Sequence, residues 1–106
     1  MEGLLLILAF KLLHPESVHI NRGIHEDGNA ARFFGFHEEV RRKCGGARIF
    51  PLFEALFATL PVAAVVDSCV AVVHGGLSRH PGVLLEHVRG IPTMEELPNN
   101  PSTYEE

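Results

Sequence analysis

Residues 62–76 read VAAVVDSCVAVVHGG, and this stretch decides the fold prediction. Two runs dense in valine and alanine, 62–66 and 69–73, flank Asp67-Ser68, a pair that suggests a tight hairpin turn. Because their apolar residues are continuous and do not alternate with polar ones, the pattern predicts strands buried on both faces. The second strand ends at His74-Gly75-Gly76.

Outward from this hairpin the sequence predicts helices on both sides. Good helix formers fill residues 2–13, and Pro15 stops them. Residues 47–60 carry apolar side chains at steps of three and four, and Pro61 follows. The remaining predictions are a strand over 17–21, a loop over 22–29, a helix over 30–43, a break at Gly45-Gly46 and a short helix over 83–88. This order predicts an α/β or α+β domain.

Composition limits the size of the fold and the classes of partner. The chain has 106 residues, of which 46% are hydrophobic, enough for one small core and too few for two domains. Net charge is −4, and the only basic cluster is Arg41-Arg42-Lys43, so no nucleic-acid partner is expected. The two cysteines, Cys44 and Cys69, form no CxxC motif and are expected to be free thiols in a reducing compartment. Nothing in the sequence indicates a homo-oligomer.

The two ends of the chain have opposite character. Residues 3–10 form an apolar run, but Glu2 precedes it, no cleavage site follows it, and it is too short to span a bilayer. We therefore predict a buried helix covered on most sides and no membrane partner. From residue 92 the chain is rich in proline, asparagine and glutamate, which predicts a surface loop or disorder over 92–106.

Two histidines lie where loops leave predicted strands. His25 follows the strand over 17–21 and comes after Gly23, and His74 precedes Gly75-Gly76. Loops at strand ends often carry functional sites because the sheet holds them rigidly. A single histidine in a loop is nevertheless more often structural or solvated. No HExxH or CxxC spacing is present, so local spacing alone predicts no metal.

The order of several short strings resembles the phosphoprotein phosphatase family of serine/threonine phosphatases, in particular its type-5-like and EF-hand-containing members. The family's hallmarks are RGNHE and HGG, and its pattern before the first is close to KLLYP…VHLLRGNHE. The matching strings here are KLLHP at 11–15, VHINRGIHE at 18–26, FGFHEEV at 34–40, FEALF at 53–57, LPVA at 60–63, HGGLS at 74–78 and the residues GV, VR and Ile91 between 82 and 91.

This resemblance implies a calcineurin-like metallophosphoesterase domain, a four-layer α/β/β/α sandwich of which residues 1–91 would be an internal segment. It also implies hydrolysis of phosphoserine or phosphothreonine by a water that two divalent ions (Mn, Fe or Zn) activate. Residue by residue, His74 corresponds to a ligand of the second metal and His25 to the histidine that protonates the leaving alkoxide. Glu26 and Arg22 correspond to supporting residues of the motif.

The sequence departs from the family pattern at Ile24, where the family has an asparagine that binds the second metal. The family's GDxHG and GDxxDRG strings are also expected before residue 1, and further ligands after residue 106. The chain is therefore expected to be truncated at both ends, to supply at most part of the second metal site, and to be inactive and poorly soluble or partly molten alone.

Three functional hypotheses follow from these observations. The first is a phosphatase segment with a phosphoprotein substrate, possible regulatory subunits and a cytoplasmic or nuclear location. The second is a pseudophosphatase that keeps the scaffold for protein binding. The third is a membrane-associated protein that uses residues 3–10.

Overall fold

A computed structural model describes residues 1–46 and 48–92 of the chain. It shows a mixed fold of helices with one small antiparallel sheet. The elements in chain order are α1 (Glu2–Leu13), α2 (Gly28–Phe33), α3 (Phe36–Lys43), α4 (Phe50–Thr59), β1 (Ala63–Val66), β2 (Val70–Val73) and α5 (Leu85–Arg89). The predicted tail lies outside the described residues except for Pro92.

The predicted hairpin is confirmed. Strands β1 and β2 pair antiparallel, with Ala63 opposite Val73 and Val66 opposite Val70. The turn residues Asp67 and Ser68 both have positive φ, 49° and 56°. Two positive φ values give a turn whose twist matches that of the flanking strands, which explains why so short a connection closes the pair.

The prediction that both faces of the hairpin are buried is wrong within the described chain. Strand β1 is only partly buried at its first two residues, and β2 is exposed along its whole length. A continuous apolar strand becomes buried only when further layers pack on both faces. Among the described residues, the sheet has two strands, and no layer covers them.

The buried core lies instead between the three central helices. Phe36 meets the ring of Phe53 edge-on at 5.2 Å between centroids, which joins α3 to α4. Pro51 stands in the first turn of α4, where its missing N–H costs nothing. The buried cluster consists of Ala31, Val40, Phe50, Phe53, Phe57 and Leu60.

The single helix predicted over 30–43 is wrong, because the chain forms two helices there. Gly35 has φ = 87°, a left-handed conformation that interrupts α-helical hydrogen bonding and that glycine adopts without steric cost. The helix predicted over 47–60 runs from Phe50 to Thr59; residue 47 is outside the described part. The helix predicted over 83–88 is observed at Leu85–Arg89.

The strand predicted over 17–21 does not form in the described structure. A strand requires a ladder with a neighbouring strand, and this segment has only isolated links to the hairpin region. Asn21 donates its side-chain N–H to Val72 O at 2.8 Å, and the backbone N–H of Arg22 donates to Pro61 O at 2.7 Å. These two bonds nevertheless tie the following loop to β2 and to the segment just before β1.

The first helix has the predicted bounds but not the predicted burial. Residues Glu2–Leu13 form α1, yet no residue of this helix is buried. Only Met1 and Leu4 pack against the core, so the expectation of cover on most sides is wrong for the described residues. Within residues 1–46 and 48–92, no helix has the length and apolar content needed to cross a bilayer.

Candidate functional site

The loop between α1 and α2 contains a tight turn that its own groups hold closed. The Gly23 N–H donates to Glu26 Oε2 at 2.8 Å, and the Glu26 N–H donates back to Gly23 O at 3.3 Å. Arg22 Nε donates to Glu26 O at 2.7 Å. The turn therefore has a defined backbone shape, and His25 stands at its tip.

Asp27 closes the turn and begins the next helix. Its side chain is fully buried. Asp27 Oδ1 accepts hydrogen bonds from Asn29 N at 2.9 Å and Ala30 N at 3.0 Å, which caps α2, and Oδ2 lies 3.7 Å from an Arg22 guanidinium nitrogen. None of the motifs quoted above includes this residue, although an aspartate directly before a run of small residues is a signal for a helix N-cap.

His25 lies on the rim of a cavity. Its ring packs against Phe34, with centroids 4.5 Å apart and planes tilted by 40°. With Glu26, it supplies the polar side chains of a cavity of about 310 Å³. The other lining residues are the apolar Leu4, Ile7, Ala31, Phe36 and Phe57. One face of the imidazole is therefore held, while the residue as a whole is exposed.

His74 reaches the same turn from the end of β2. A Cβ atom placed on Gly23 would lie 2.6 Å from Glu26 Oε2 and 3.1 Å from His74 Cε1. The carboxylate of Glu26 and the imidazole of His74 therefore both lie beside the Cα of Gly23, where the side chain of any other residue would clash with them. Since Glu26 also lines the cavity beside His25, the structure brings residues 25, 26 and 74 to one corner of the molecule.

The sequence was compared with family models and with known proteins. The sequence matches no protein-family model. The serine/threonine-protein phosphatases 5 of Homo sapiens, Rattus norvegicus and Mus musculus are each 36% identical to it over 100 residues, 94% of this chain. Over these residues the chain is homologous to serine/threonine-protein phosphatases. It spans about a fifth of the length of these relatives, 20% of each.

The fold agrees with this relationship to phosphatases. A solved structure of a protein serine/threonine phosphatase from Saccharomyces cerevisiae, described as similar to human phosphatase PP5, superposes with a TM-score of 0.85 at 34% identity. The match covers 98% of this chain and 33% of the yeast chain. The described helices and small sheet thus match part of a phosphatase fold.

The donor set at this corner does not by itself fit a metal ion. Ile24 offers only carbon atoms where the resemblance places an asparagine ligand. Within residues 1–46 and 48–92, no group of three histidine, cysteine, aspartate or glutamate side chains could hold an ion together. His74 is one imidazole donor, whereas tetrahedral and octahedral sites need several converging ligands.

Proposed function

We propose that this chain forms part of a site that hydrolyses phosphoserine or phosphothreonine in a phosphoprotein, with His25 as the proton donor. The observation that carries the proposal is the proximity of two loops, the one that contains His25 and the one that contains His74. Glu26 and His74 both lie beside Gly23. The sequence relationship to serine/threonine phosphatases supports the reaction class.

His25 suits protonation of a leaving group. A serine or threonine alkoxide is a poor leaving group, so a proton delivered to its oxygen lowers the barrier. An imidazole can carry such a proton near neutral pH. Phe34 holds one face of the ring, and the exposed position of residue 25 leaves it open to a substrate.

The other residues of the turn would bind and orient. We propose that His74 is a ligand for the second of two divalent ions (Mn, Fe or Zn), whose chemistry when bound is to lower the pKa of water and neutralise phosphate charge. Glu26 and Arg22 hold the turn through the bonds described above. The remaining ligands would have to come from outside the described donor set.

The proposed setting is the full four-layer α/β/β/α sandwich, with residues 1–91 as a segment of the catalytic domain and 92–106 as a tail. The exposed apolar hairpin supports this setting, since strands of its composition are normally covered on both faces. Regulatory subunits, and a cytoplasmic or nuclear location, remain part of the proposal on the basis of the family resemblance alone.

A non-catalytic scaffold is the second candidate function. Ile24 favours it, because a branched apolar side chain stands where the family has a metal ligand. Such a pseudophosphatase would bind a phosphoprotein or another partner without turnover. The two candidate functions predict different effects of restoring an asparagine at position 24, so Ile24→Asn provides the test.

Metal binding by Ile24→Asn separates the candidates. The full chain, the variant and a His74→Ala control are dialysed against Mn²⁺ and assayed with a phosphoserine peptide. If the site is a weakened phosphatase site, Ile24→Asn should raise Mn²⁺ affinity at least about tenfold, and His74→Ala should abolish the gain. Ile91→Asn makes the same chemical change at an exposed position and should have no effect.

The activity arm decides the role of His25. Turnover of the phosphopeptide by Ile24→Asn that disappears in Ile24→Asn/His25→Ala supports the phosphatase proposal. Phosphopeptide binding by every variant, with no gain in Mn²⁺ affinity in Ile24→Asn, supports the scaffold. Equal Mn²⁺ affinity in the original chain and in Ile24→Asn would overturn the assignment of this corner as a metal site.

A further inference from the structure

The fully buried carboxylate of Asp27 has no part in the chemistry proposed above, and it belongs to no string of the sequence resemblance. We propose that Asp27 is a positioning residue for His25, because its two oxygens fix both the closed turn that carries the imidazole and the helix that presents Phe34 to it. The inference deepens the proposed function, on which the catalytic meaning of His25 rests.

The first oxygen acts on the helix. Asp27 Oδ1 accepts from the N–H groups of Asn29 and Ala30, two of the four donors that the first turn of a helix leaves unpaired. Helix α2 has only six residues, so its direction depends strongly on this end. At its other end stands Phe34, the ring on which His25 rests.

The second oxygen acts on the turn. Asp27 Oδ2 lies 3.7 Å from the Arg22 guanidinium, and the Arg22 side chain is only 13% exposed. The same guanidinium donates from Nε to Glu26 O, so Arg22 spans the turn from its first residue to its last. His25 lies between Arg22 and Asp27, so a change in its backbone direction would break the Arg22–Glu26 hydrogen bond or the Arg22–Asp27 ion pair.

Asp27 thus links the backbone of His25 to the aromatic ring that its imidazole contacts. From residue 25 the contacts run along the chain to Asp27, through α2 to Phe34, and back to the imidazole. Arg22, at the start of the turn, also donates its backbone N–H to Pro61 O, two residues before β1 begins.

A serine at position 27 separates the two connections. In Asp27→Ser the hydroxyl can still cap α2, as serine commonly does, but it cannot also reach Arg22. Arg22→Lys leaves Asp27 intact and removes the guanidinium geometry that bridges the turn. Asp67→Asn is the control, because it neutralises an exposed aspartate at the hairpin turn, where asparagine accepts a positive φ.

The measurement is NMR on the full chain without metal or substrate. We expect Asp27→Ser to keep the Ala30 amide protected from exchange within about threefold of the original, as a retained cap requires. In both Asp27→Ser and Arg22→Lys, the nuclear Overhauser contacts between His25 and Phe34 should disappear. Asp67→Asn should keep these contacts.

Retained His25–Phe34 contacts in both folded variants would overturn the inference. If Asp27→Ser does not fold, Arg22→Lys decides the question alone. Failure of both variants to fold would also count against positioning, since it would make the carboxylate a stability element only. These readouts need no metal or turnover, so their failure is distinct from failure of the phosphatase proposal.

Discussion

Two regions of this chain both carry large apolar side chains and differ in how far these are buried. In the helical unit of α2, α3 and α4, Val40 is 0% exposed and a cluster of phenylalanines fills the interior. In the hairpin, Val70 is 55% exposed and the whole of β2 faces outward. Valine occupies both places, so the residue type does not explain the difference.

The difference arises from where each region finds its neighbours. The helices α2, α3 and α4 follow one another within residues 28–59, so short connections bring their apolar faces together. A two-stranded hairpin has two faces and can cover neither of them by itself. Its cover must come from elements distant in sequence, and the described residues supply none.

The largest expected effect contrasts one substitution in the two regions. Val40→Ala removes two buried methyl groups and leaves a cavity, which should lower the free energy of unfolding by about 2–3 kcal/mol. Val70→Ala removes the same atoms from an exposed strand position and should cost below about 1 kcal/mol. Urea unfolding followed by far-ultraviolet circular dichroism measures both values.

Equal losses of unfolding free energy in Val40→Ala and Val70→Ala would contradict the difference in burial between the two regions. A large loss in Val70→Ala would mean that the hairpin is covered in solution, for example by another copy of the chain. Sedimentation velocity on the original chain would then show the association directly.

A smaller effect tests why the helical unit has three helices. Gly35→Ala places a Cβ in a left-handed conformation, which should cost about 1–2 kcal/mol. Gly3→Ala is the control, since Gly3 lies in α1 with open space around it and alanine favours a helix. If Gly35→Ala is neutral, the break between α2 and α3 does not depend on the backbone of this residue.

Local signals predicted most elements of the fold. Helix formers before Pro15 gave the bounds of α1, and the valine runs around Asp67-Ser68 gave the hairpin. The break at Gly35 was missed because a glycine within a helical pattern can be tolerated or can end the helix, and only its φ decides. The strand over 17–21 was wrong because β-branched residues favour an extended chain but do not supply a pairing partner.

The sequence named candidate site residues but not their arrangement. Family strings and flanking glycines singled out His25, His74 and Glu26, and they could not show that Gly23 is the point where two of these side chains meet. The same reasoning did not name Asp27, although an aspartate directly before a run of small residues predicts a helix N-cap. Its role depends on burial and on two simultaneous contacts, and a sequence shows neither of them.

The smallest expected effect concerns how α1 is attached to the helical unit. Since α1 buries no residue, ion pairs to α3 help to hold it. Glu39 Oε1 accepts from Lys43 Nζ at 2.6 Å and from the Met1 ammonium at 2.9 Å, and Lys43 also donates to Glu2. The hydrogen bond from Lys43, followed by that from the Met1 ammonium, lowers the pKa of Glu39 from 4.5 to about 2.

The sign of this pKa shift fixes the expected pH dependence. Because the carboxyl has a lower pKa folded than unfolded, its contribution is present above pH 4.5 and is lost as pH falls toward 2. The stability difference between the original chain and Glu39→Gln should therefore be greatest near neutral pH and vanish toward pH 2. It should also shrink in 1 M salt, where the screening length is about 3 Å.

Glu86→Gln is the matched control, since it makes the same chemical change at an exposed glutamate of α5. A Glu39→Gln difference that stays constant from neutral to acid pH would show that residue 39 acts by packing and not by charge. The attachment of α1 would then depend on Met1 and Leu4 alone, the two side chains near this helix that reach the core.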